Sequence, residues 1–197
     1  MRALVVYESY FGCTKTIAEA IVDGLRAHLK PRVVPIEDAR HQHLGGYDLL
    51  VVGAPTHAHG MSRPTTRVNL TELAAQTHSS LRTSHIGIGV REWLDEIGLW
   101  AGHPAASFDT RLPGPTALTG RASKGIASEL RRHGFLVVTE PLSCLVDRNN
   151  ELLPGETDRA LAWAVDLAAA LNKTVPKARA IETSTLYRYG DALGKTR

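Results

Sequence analysis

Residues 3–25 read ALVVYESYFGCTKTIAEAIVDGL, and this stretch decides the fold class. Residues 3–7 form an unbroken apolar run, which is typical of a strand buried on both faces of a parallel sheet. A one-faced apolar stripe follows at Ile17, Ile21, Leu25 and Leu29. This four-residue spacing predicts an amphipathic helix. Thr16 and Glu19 have the spacing of a capping box, so we expect the helix to begin near Thr16.

The rest of the chain alternates strand and helix patterns. Apolar runs predict buried strands at 48–54 and 135–139, and a weaker pattern predicts another at 106–110. Residues 32–36 contain Pro35, which has no N–H to give to a second neighbour, so they predict an edge strand. Helices are expected at 65–77, 90–99, 121–133 and 157–171. This alternation predicts an α/β fold with a doubly wound, five-stranded parallel sheet of order 2-1-3-4-5 and helices on both faces.

The charge of the 197-residue chain is unevenly distributed. The formal net charge is +3, but residues 172–197 alone carry +4 and residues 1–171 carry −1. A near-neutral folded part argues against a nucleic-acid partner, which would need a basic face. We therefore expect one domain over residues 1–171, followed by a basic tail that is disordered or docks on the core or on a partner.

The apolar runs are shorter than the roughly 20 residues that cross a bilayer, so no membrane association is expected. The first residues have no signal-peptide pattern. Cys13 and Cys144 have neither the number nor the spacing of a disulfide framework or a metal site. These features predict a cytoplasmic protein in a reducing compartment.

The loop Ser9-Tyr10-Phe11-Gly12-Cys13-Thr14 has the composition of a phosphate site. A helix N-terminus offers unpaired N–H groups and a positive dipole end. Gly12 permits close approach of the backbone, and Ser9 and Thr14 add hydroxyl groups. A plain strand–helix turn would use the same residues, so both interpretations stay open here. The sequence Gly-x-x-x-x-Gly-Lys-Ser/Thr is absent, which excludes a P-loop, and Glu8 alone does not supply the acidic cluster of a phosphorelay receiver.

A second loop, Gly53-Ala54-Pro55-Thr56-His57-Ala58-His59-Gly60-Met61, follows the third predicted strand and faces the same end of the sheet. Together the two loops resemble those of the flavodoxin-like family over about residues 1–170. In that family a Ser/Thr-x-x-Gly-x-Thr loop wraps the FMN phosphate, and a Gly-x-Pro-Thr loop lines one side of the isoalloxazine. The resemblance implies FMN as the cofactor.

The resemblance also implies a set of cofactor-binding residues. In the phosphate loop these are Ser9, Tyr10, Phe11, Gly12, Cys13 and Thr14, of which Phe11, Gly12 and Cys13 would use their backbone N–H groups. Along the flavin edge they are Pro55, Thr56, His57, Ala58, His59, Gly60 and Met61. In a third loop they are Thr110, Arg111, Leu112 and Gly114.

Several residues depart from the family pattern. Phe11 and Cys13 stand where many members have a hydroxyl residue and an asparagine, and an aromatic residue at 11 is closer to the NAD(P)H:quinone oxidoreductase branch. The third loop has no tyrosine or tryptophan to stack on the flavin, so Trp93, Trp100 or Tyr10 are candidates for that contact. Cys13 is expected to turn its thiol away from the phosphate, and Cys144 to be a buried strand residue.

The resemblance places His57 and His59 beside the ring. As imidazolium ions they would stabilise an anionic reduced flavin and make its reduction easier, whereas capping of loop carbonyls is the alternative. An i, i+2 histidine pair is weak support for a metal site, and none is expected. Arg63 and Arg67 would meet nicotinamide phosphates or an acidic redox partner, or else lie solvated at a helix start.

Three functions follow from these features. The favoured one is an FMN-binding protein that transfers electrons between redox partners through an exposed flavin edge, with no catalytic acid or base. The first alternative is an FMN-dependent NAD(P)H:quinone-type oxidoreductase. The second is a flavin-free binding module on the same fold.

Overall fold

The structure, a computed structural model, describes residues 1–57, 59–68 and 87–193. Within them, one parallel sheet has the order β2-β1-β3-β4, and both β5 and β6 pair with the outer side of β4. The strands are β1 Arg2–Tyr7, β2 Lys30–Pro35, β3 Leu49–Pro55, β4 Pro104–Arg111, β5 Leu136–Val137 and β6 Leu142–Leu145. The predicted order is therefore confirmed, with β2 at one edge.

Helices cover both faces of the sheet. They are α1 Cys13–Leu25, α2 Ile36–Ala39, α3 Pro64–Val68, α4 Val90–Glu96, α5 Thr116–Thr119, α6 Ala122–Arg132 and α7 Glu156–Leu193, with a 3₁₀ turn at Leu44–Gly46. Helices α1 and α7 bury their apolar sides in one core, and α2, α4 and α6 bury theirs in the other. No helix in the described ranges is long and apolar enough to cross a membrane.

The buried strands supply side chains alternately to these two cores. In β1, Ala3 and Val5 face the core under α1 and α7, whereas Leu4 and Val6 face the core under α4 and α6. A strand that is apolar at every position is the pattern that two covered faces require. This explains why the unbroken runs in the sequence predicted the fold class.

The fifth predicted strand differs from the structure. Instead of one strand at 135–139, the chain forms β5, leaves the ladder, and returns as β6. Two carbonyl groups between β5 and β6 accept hydrogen bonds from side chains. The Arg121 guanidinium donates to the Pro141 carbonyl (2.7 Å), and Trp163 Nε1 donates to the Glu140 carbonyl (3.1 Å). Cys144 is fully buried in β6, as predicted.

Helix boundaries also differ in places, and one predicted helix is described only in part. Helix α1 begins at Cys13 and not near Thr16, whose hydroxyl lies inside the helix and donates to the Gly12 carbonyl (3.2 Å), so the predicted capping box is wrong. The helix predicted at 157–171 runs from Glu156 to Leu193. The helix predicted at 65–77 corresponds to α3 as far as Val68, and its remainder lies outside the described residues.

Candidate functional site

Loops after β1, β3, β4 and β6 meet at the carboxyl edge of the sheet and enclose a cleft of about 240 Å³. This volume is close to the lower end of small-molecule sites, about 300–1,000 Å³. The cleft is lined by Ser9, Tyr10, Phe11, Cys13, Thr14, Pro55, Thr56, His57, Thr110, Arg111, Leu112, Val146, Asp147, Arg148 and Asn150. Three separate loops that the sequence analysis singled out therefore share one cavity.

The loop after β1 is shaped by Ser9. Its Oγ accepts the N–H groups of Gly12 (3.2 Å) and Lys15 (3.3 Å), which fixes the loop against the first turn of α1. Gly12 has a φ of 99°, a left-handed conformation that favours glycine. The N-terminal end of α1 thus opens at the cleft, where its first N–H groups and dipole favour an anion.

Hydrogen bonds to β4 and to α6 fix the loop after β3. Thr56 donates its N–H to the Thr110 carbonyl (2.8 Å), and its Oγ1 accepts the Ala122 N–H (2.9 Å). His57 and Gly60 exchange backbone hydrogen bonds of 2.8 and 2.9 Å, which closes a tight turn. Pro55, Thr56 and His57 consequently present a fixed wall to the cleft.

The rest of that loop lies away from the cleft lining. His59 is exposed with a φ of 74°, and Gly120 packs directly on its backbone. The Met61 side chain is buried in the core under α4 and α6, so the structure does not bring it to the predicted flavin edge. Gly60 supports the turn without lining the cleft, and Ala58 lies outside the described residues.

The loop after β4 is organised by Arg111. Its guanidinium donates to Ser143 Oγ (3.0 Å) and to the carbonyls of Leu112 (2.9 Å) and Gly114 (3.2 Å). Gly114 therefore contributes a hydrogen bond within the loop and does not line the cleft, whereas Leu112 lines the cleft with 47% of its surface exposed.

The aromatic residues of the cleft are Tyr10 and Phe11, both from the loop after β1. Trp93 is buried in the core, and Trp100 stacks on Phe135 with ring centroids 6.0 Å apart. Neither tryptophan lines the cleft, so neither replaces the missing aromatic residue of the third loop.

Sequence reasoning missed the fourth loop, which supplies Val146, Asp147, Arg148 and Asn150. It is a tight turn in which Asp147 Oδ1 accepts the N–H groups of Asn149 (2.9 Å) and Glu151 (2.8 Å). The polar run Asp147-Arg148-Asn149-Asn150 is a turn signal that would have identified the loop once β6 was recognised. The Cys13 thiol donates to the Asn150 carbonyl (2.8 Å), so it faces this loop.

A buried polar cluster lies behind the cleft. The Glu8 carboxylate is 1% exposed and accepts hydrogen bonds from the Tyr10 hydroxyl, the Ser62 hydroxyl and the Val90 N–H (2.7 Å). Arg67 is 3% exposed, donates to Ser62 Oγ (2.9 Å) and pairs with Glu92 (3.0 Å). Arg67 is therefore not solvated at a helix start, because its guanidinium is buried against Ser62 and Glu92.

His57 joins this cluster to the cleft. Its ring meets the Tyr10 ring edge-on, with centroids 5.5 Å apart. Burial lowers the pKa of His57; the Glu8 charge opposes this shift and the Arg67 charge adds to it. At neutral pH this histidine is therefore uncharged, and the imidazolium expected at position 57 is not what this structure favours.

The chain belongs to the flavodoxin family, since the sequence model of that family, described as flavodoxin, matches residues 5–104. Among solved structures, the chain is similar to a flavodoxin from the domain Archaea (20% identity, TM-score 0.59, 87% of this chain and 99% of that one). Flavodoxin 1 from Bacillus cereus has 19% identity and a TM-score of 0.58, with 88% and 98% covered.

A flavodoxin, WrbA-like protein from Agrobacterium tumefaciens has 17% identity and a TM-score of 0.55, again with 88% and 98% of the two chains covered. At these identities the structural likenesses show the fold alone. No curated protein matches the chain.

Proposed function

We propose that the protein binds FMN in the cleft and transfers electrons between redox partners. The observation that carries this proposal is the opening of the α1 N-terminus, with the Ser9–Gly12 turn, into a cleft walled by three further loops. Family membership supports FMN as the ligand. The cleft also contains two arginines, Arg111 and Arg148, against one acid, Asp147, which suits a phosphorylated ligand.

The residues present fit the parts of FMN. The first turn of α1 and the Ser9 hydroxyl would hold the phosphate, because both offer hydrogen bonds to an anion. Thr56 and His57 would border one side of the ring system, and the exposed Leu112 side chain offers an apolar surface to the other. Bound FMN would supply the electron chemistry, accepting and giving electrons in steps of one or two.

The chain itself need only bind, orient and partly shield the cofactor. The hydrogen bonds from Thr56 to Thr110 and between Thr14 and Thr110 fix three cleft loops relative to one another. A preformed cleft loses little conformational entropy on binding. Electron transfer through an exposed edge needs no catalytic acid or base. The two cysteines, Cys13 and Cys144, occur as thiols, which is consistent with a reducing compartment such as the cytoplasm.

The test of this proposal is titration of the apoprotein with FMN and with riboflavin, which lacks the phosphate. We expect flavin absorption bands in the purified protein and FMN binding much tighter than riboflavin binding. Ser9→Ala should weaken FMN binding at least tenfold, or about 1.4 kcal/mol, and leave riboflavin binding nearly unchanged. Ser128→Ala, at an exposed position on α6, is the matched control.

Two further outcomes separate the alternatives. Rapid bleaching of the bound flavin by NADH or NADPH alone would favour the reductase over the electron shuttle. Absence of flavin from the purified protein together with absence of FMN affinity would contradict the proposal and leave the flavin-free binding module.

A further inference from the structure

His57 is a rigidly placed histidine in the wall of the cleft. Backbone hydrogen bonds at Thr56 and between His57 and Gly60 fix its main chain. Its Nε2 is buried and has no hydrogen-bond partner within residues 1–57, 59–68 and 87–193. A buried polar atom without a partner is unfavourable, so its presence beside a ligand cleft calls for a reason.

Charged groups act on the His57 ring in both directions, while burial is the main cause that lowers its pKa. Glu8, at the end of β1, favours the imidazolium, and Arg67, on α3, disfavours it. Arg67 is itself paired with Glu92 of α4. From the cleft side, the charged groups are Arg111 at the end of β4, and Asp147 and Arg148 after β6.

Tyr10 is the aromatic neighbour of His57, and it does not compete for the proton. Its hydroxyl already donates to Glu8. Burial and the Glu8 charge raise the pKa of this phenol far above its usual range, so Tyr10 stays neutral. Of these two rings, the imidazole is therefore the one that can gain a proton.

We infer that His57 takes up a proton when the cofactor in the cleft is reduced. This inference rests on the proposed function. A one-electron donor, the redox partner, gives an electron to the flavin, and the neutral imidazole binds one proton from solvent to become imidazolium. The added negative charge on the flavin is thereby balanced by one positive charge on the same cleft wall.

The direction of this coupling follows from electrostatics. A negative charge within about 4–6 Å of a titratable group favours its cationic form, and in a partly buried cleft water screens the attraction poorly. Burial is the main cause that keeps His57 neutral, and Glu8 already opposes it. One further negative charge in the cleft adds to the Glu8 effect and shifts the balance towards imidazolium.

The first experiment is redox potentiometry of the FMN-loaded protein across a range of pH. The reduction potential of the wild-type protein should depend more steeply on pH than that of His57→Gln, because glutamine keeps polar hydrogen bonding but does not titrate. In the responsive range, one pH unit should change the one-electron reduction equilibrium by up to tenfold, or about 59 mV. The dependence left in His57→Gln is that of the flavin and serves as the baseline.

The matched control is His103→Gln. Burial lowers the pKa of His103 as it does that of His57, but His103 precedes β4 at the opposite edge of the sheet. Its substitution should leave the wild-type pH dependence unchanged.

A second measurement needs no substitution at His57. Nuclear magnetic resonance of the labelled imidazole in the wild-type protein should give a His57 pKa below the ordinary value in the oxidised state. The same signal should titrate at a clearly higher pKa in the reduced state.

The outcomes are distinguishable. Equal pH dependence in wild type and His57→Gln, with the same His57 pKa in both redox states, would overturn the inference and leave FMN binding intact. Failure of the wild-type protein to bind FMN would overturn the proposed function and this inference with it.

Discussion

The hydroxyl groups of Thr14 and Thr110 lie 2.8 Å apart and share a hydrogen bond between the first turn of α1 and the end of β4. Both residues are almost fully buried. The bond joins the loop after β1 to the loop after β4 beneath the cleft. Thr14, which the sequence suggested as a direct phosphate contact, thus also holds the site together.

Removing one of these hydroxyl groups should destabilise the protein. Thr14→Val leaves the Thr110 hydroxyl buried without its partner, at an expected cost of about 1–3 kcal/mol in the free energy of unfolding. Thr14→Val with Thr110→Val should cost less than the sum of the single variants, because no unpaired hydroxyl remains. Urea unfolding measures all three, and Thr16→Val, at an exposed position of α1, is the control. Additive losses would contradict a direct bond.

Gly120 supports the turn at residues 57–60. A Cβ at this position would lie 2.1 Å from the His59 carbonyl oxygen, and the φ of +72° is itself unfavourable for other residues. Gly120→Ala should therefore lower the melting temperature and weaken FMN binding by moving the cleft wall. Gly98→Ala is the matched control, since Gly98 has a φ of +74° with open space around it. Equal losses in the two variants would mean that backbone strain, and not the contact with His59, explains the effect.

Arg67 is buried and forms an ion pair with the partly exposed Glu92, and removing the arginine should be costly. Arg67→Met removes the positive charge and leaves Glu8 and Glu92 without it, which should lower the free energy of unfolding by about 3–5 kcal/mol. Arg26→Met breaks the exposed pair with Asp23 and should cost at most about 1 kcal/mol. Chemical denaturation compares the two. Similar small losses would show that Arg67 contributes no more than a surface arginine.

The stability of the apoprotein should fall as the solution becomes mildly acidic. Burial lowers the pKa of His57 and His103, so the unfolded chain binds protons at a higher pH than the folded one. The stabilisation from keeping them neutral is complete above about pH 6.5 and is lost as the pH falls through the folded pKa values.

Urea unfolding between about pH 5.5 and 7.5 tests this prediction. The double variant His57→Gln, His103→Gln should show a flatter dependence on pH than the wild type. His41→Gln, at an exposed position, should keep the wild-type dependence. A double variant with the wild-type slope would contradict the assignment.

The sequence was sufficient for the sheet order and for three of the four cleft loops. Apolar runs at residues 3–7 and 48–54 identify β1 and β3 because both faces of these strands are covered. Parallel strands place the segments that follow them at one edge, so the loops at Ser9, Thr56 and Thr110 had to converge. That part of the site depends on local pattern and topology, both of which are readable from one chain.

The remaining features depend on long-range partners. The sequence did not predict β6, because its four residues after Pro141 form only a short and weak strand pattern. The fourth loop, which follows β6, was therefore not predicted either. Arg67 looks like a solvated residue until Ser62 and Glu92 are placed beside it. The charge of His57 likewise follows from burial next to Tyr10, which no spacing in the sequence reveals.

The two edges of the sheet have one more consequence. The Lys30 N–H donates to the Met1 carbonyl, so alternation places Pro31 and Pro35 of β2 at outward positions, where they have no N–H to offer. At the other edge, the break between β5 and β6 leaves only short rows of unpaired groups. Neither edge is a good template for another strand, so the folded domain is protected against edge-to-edge aggregation at high concentration.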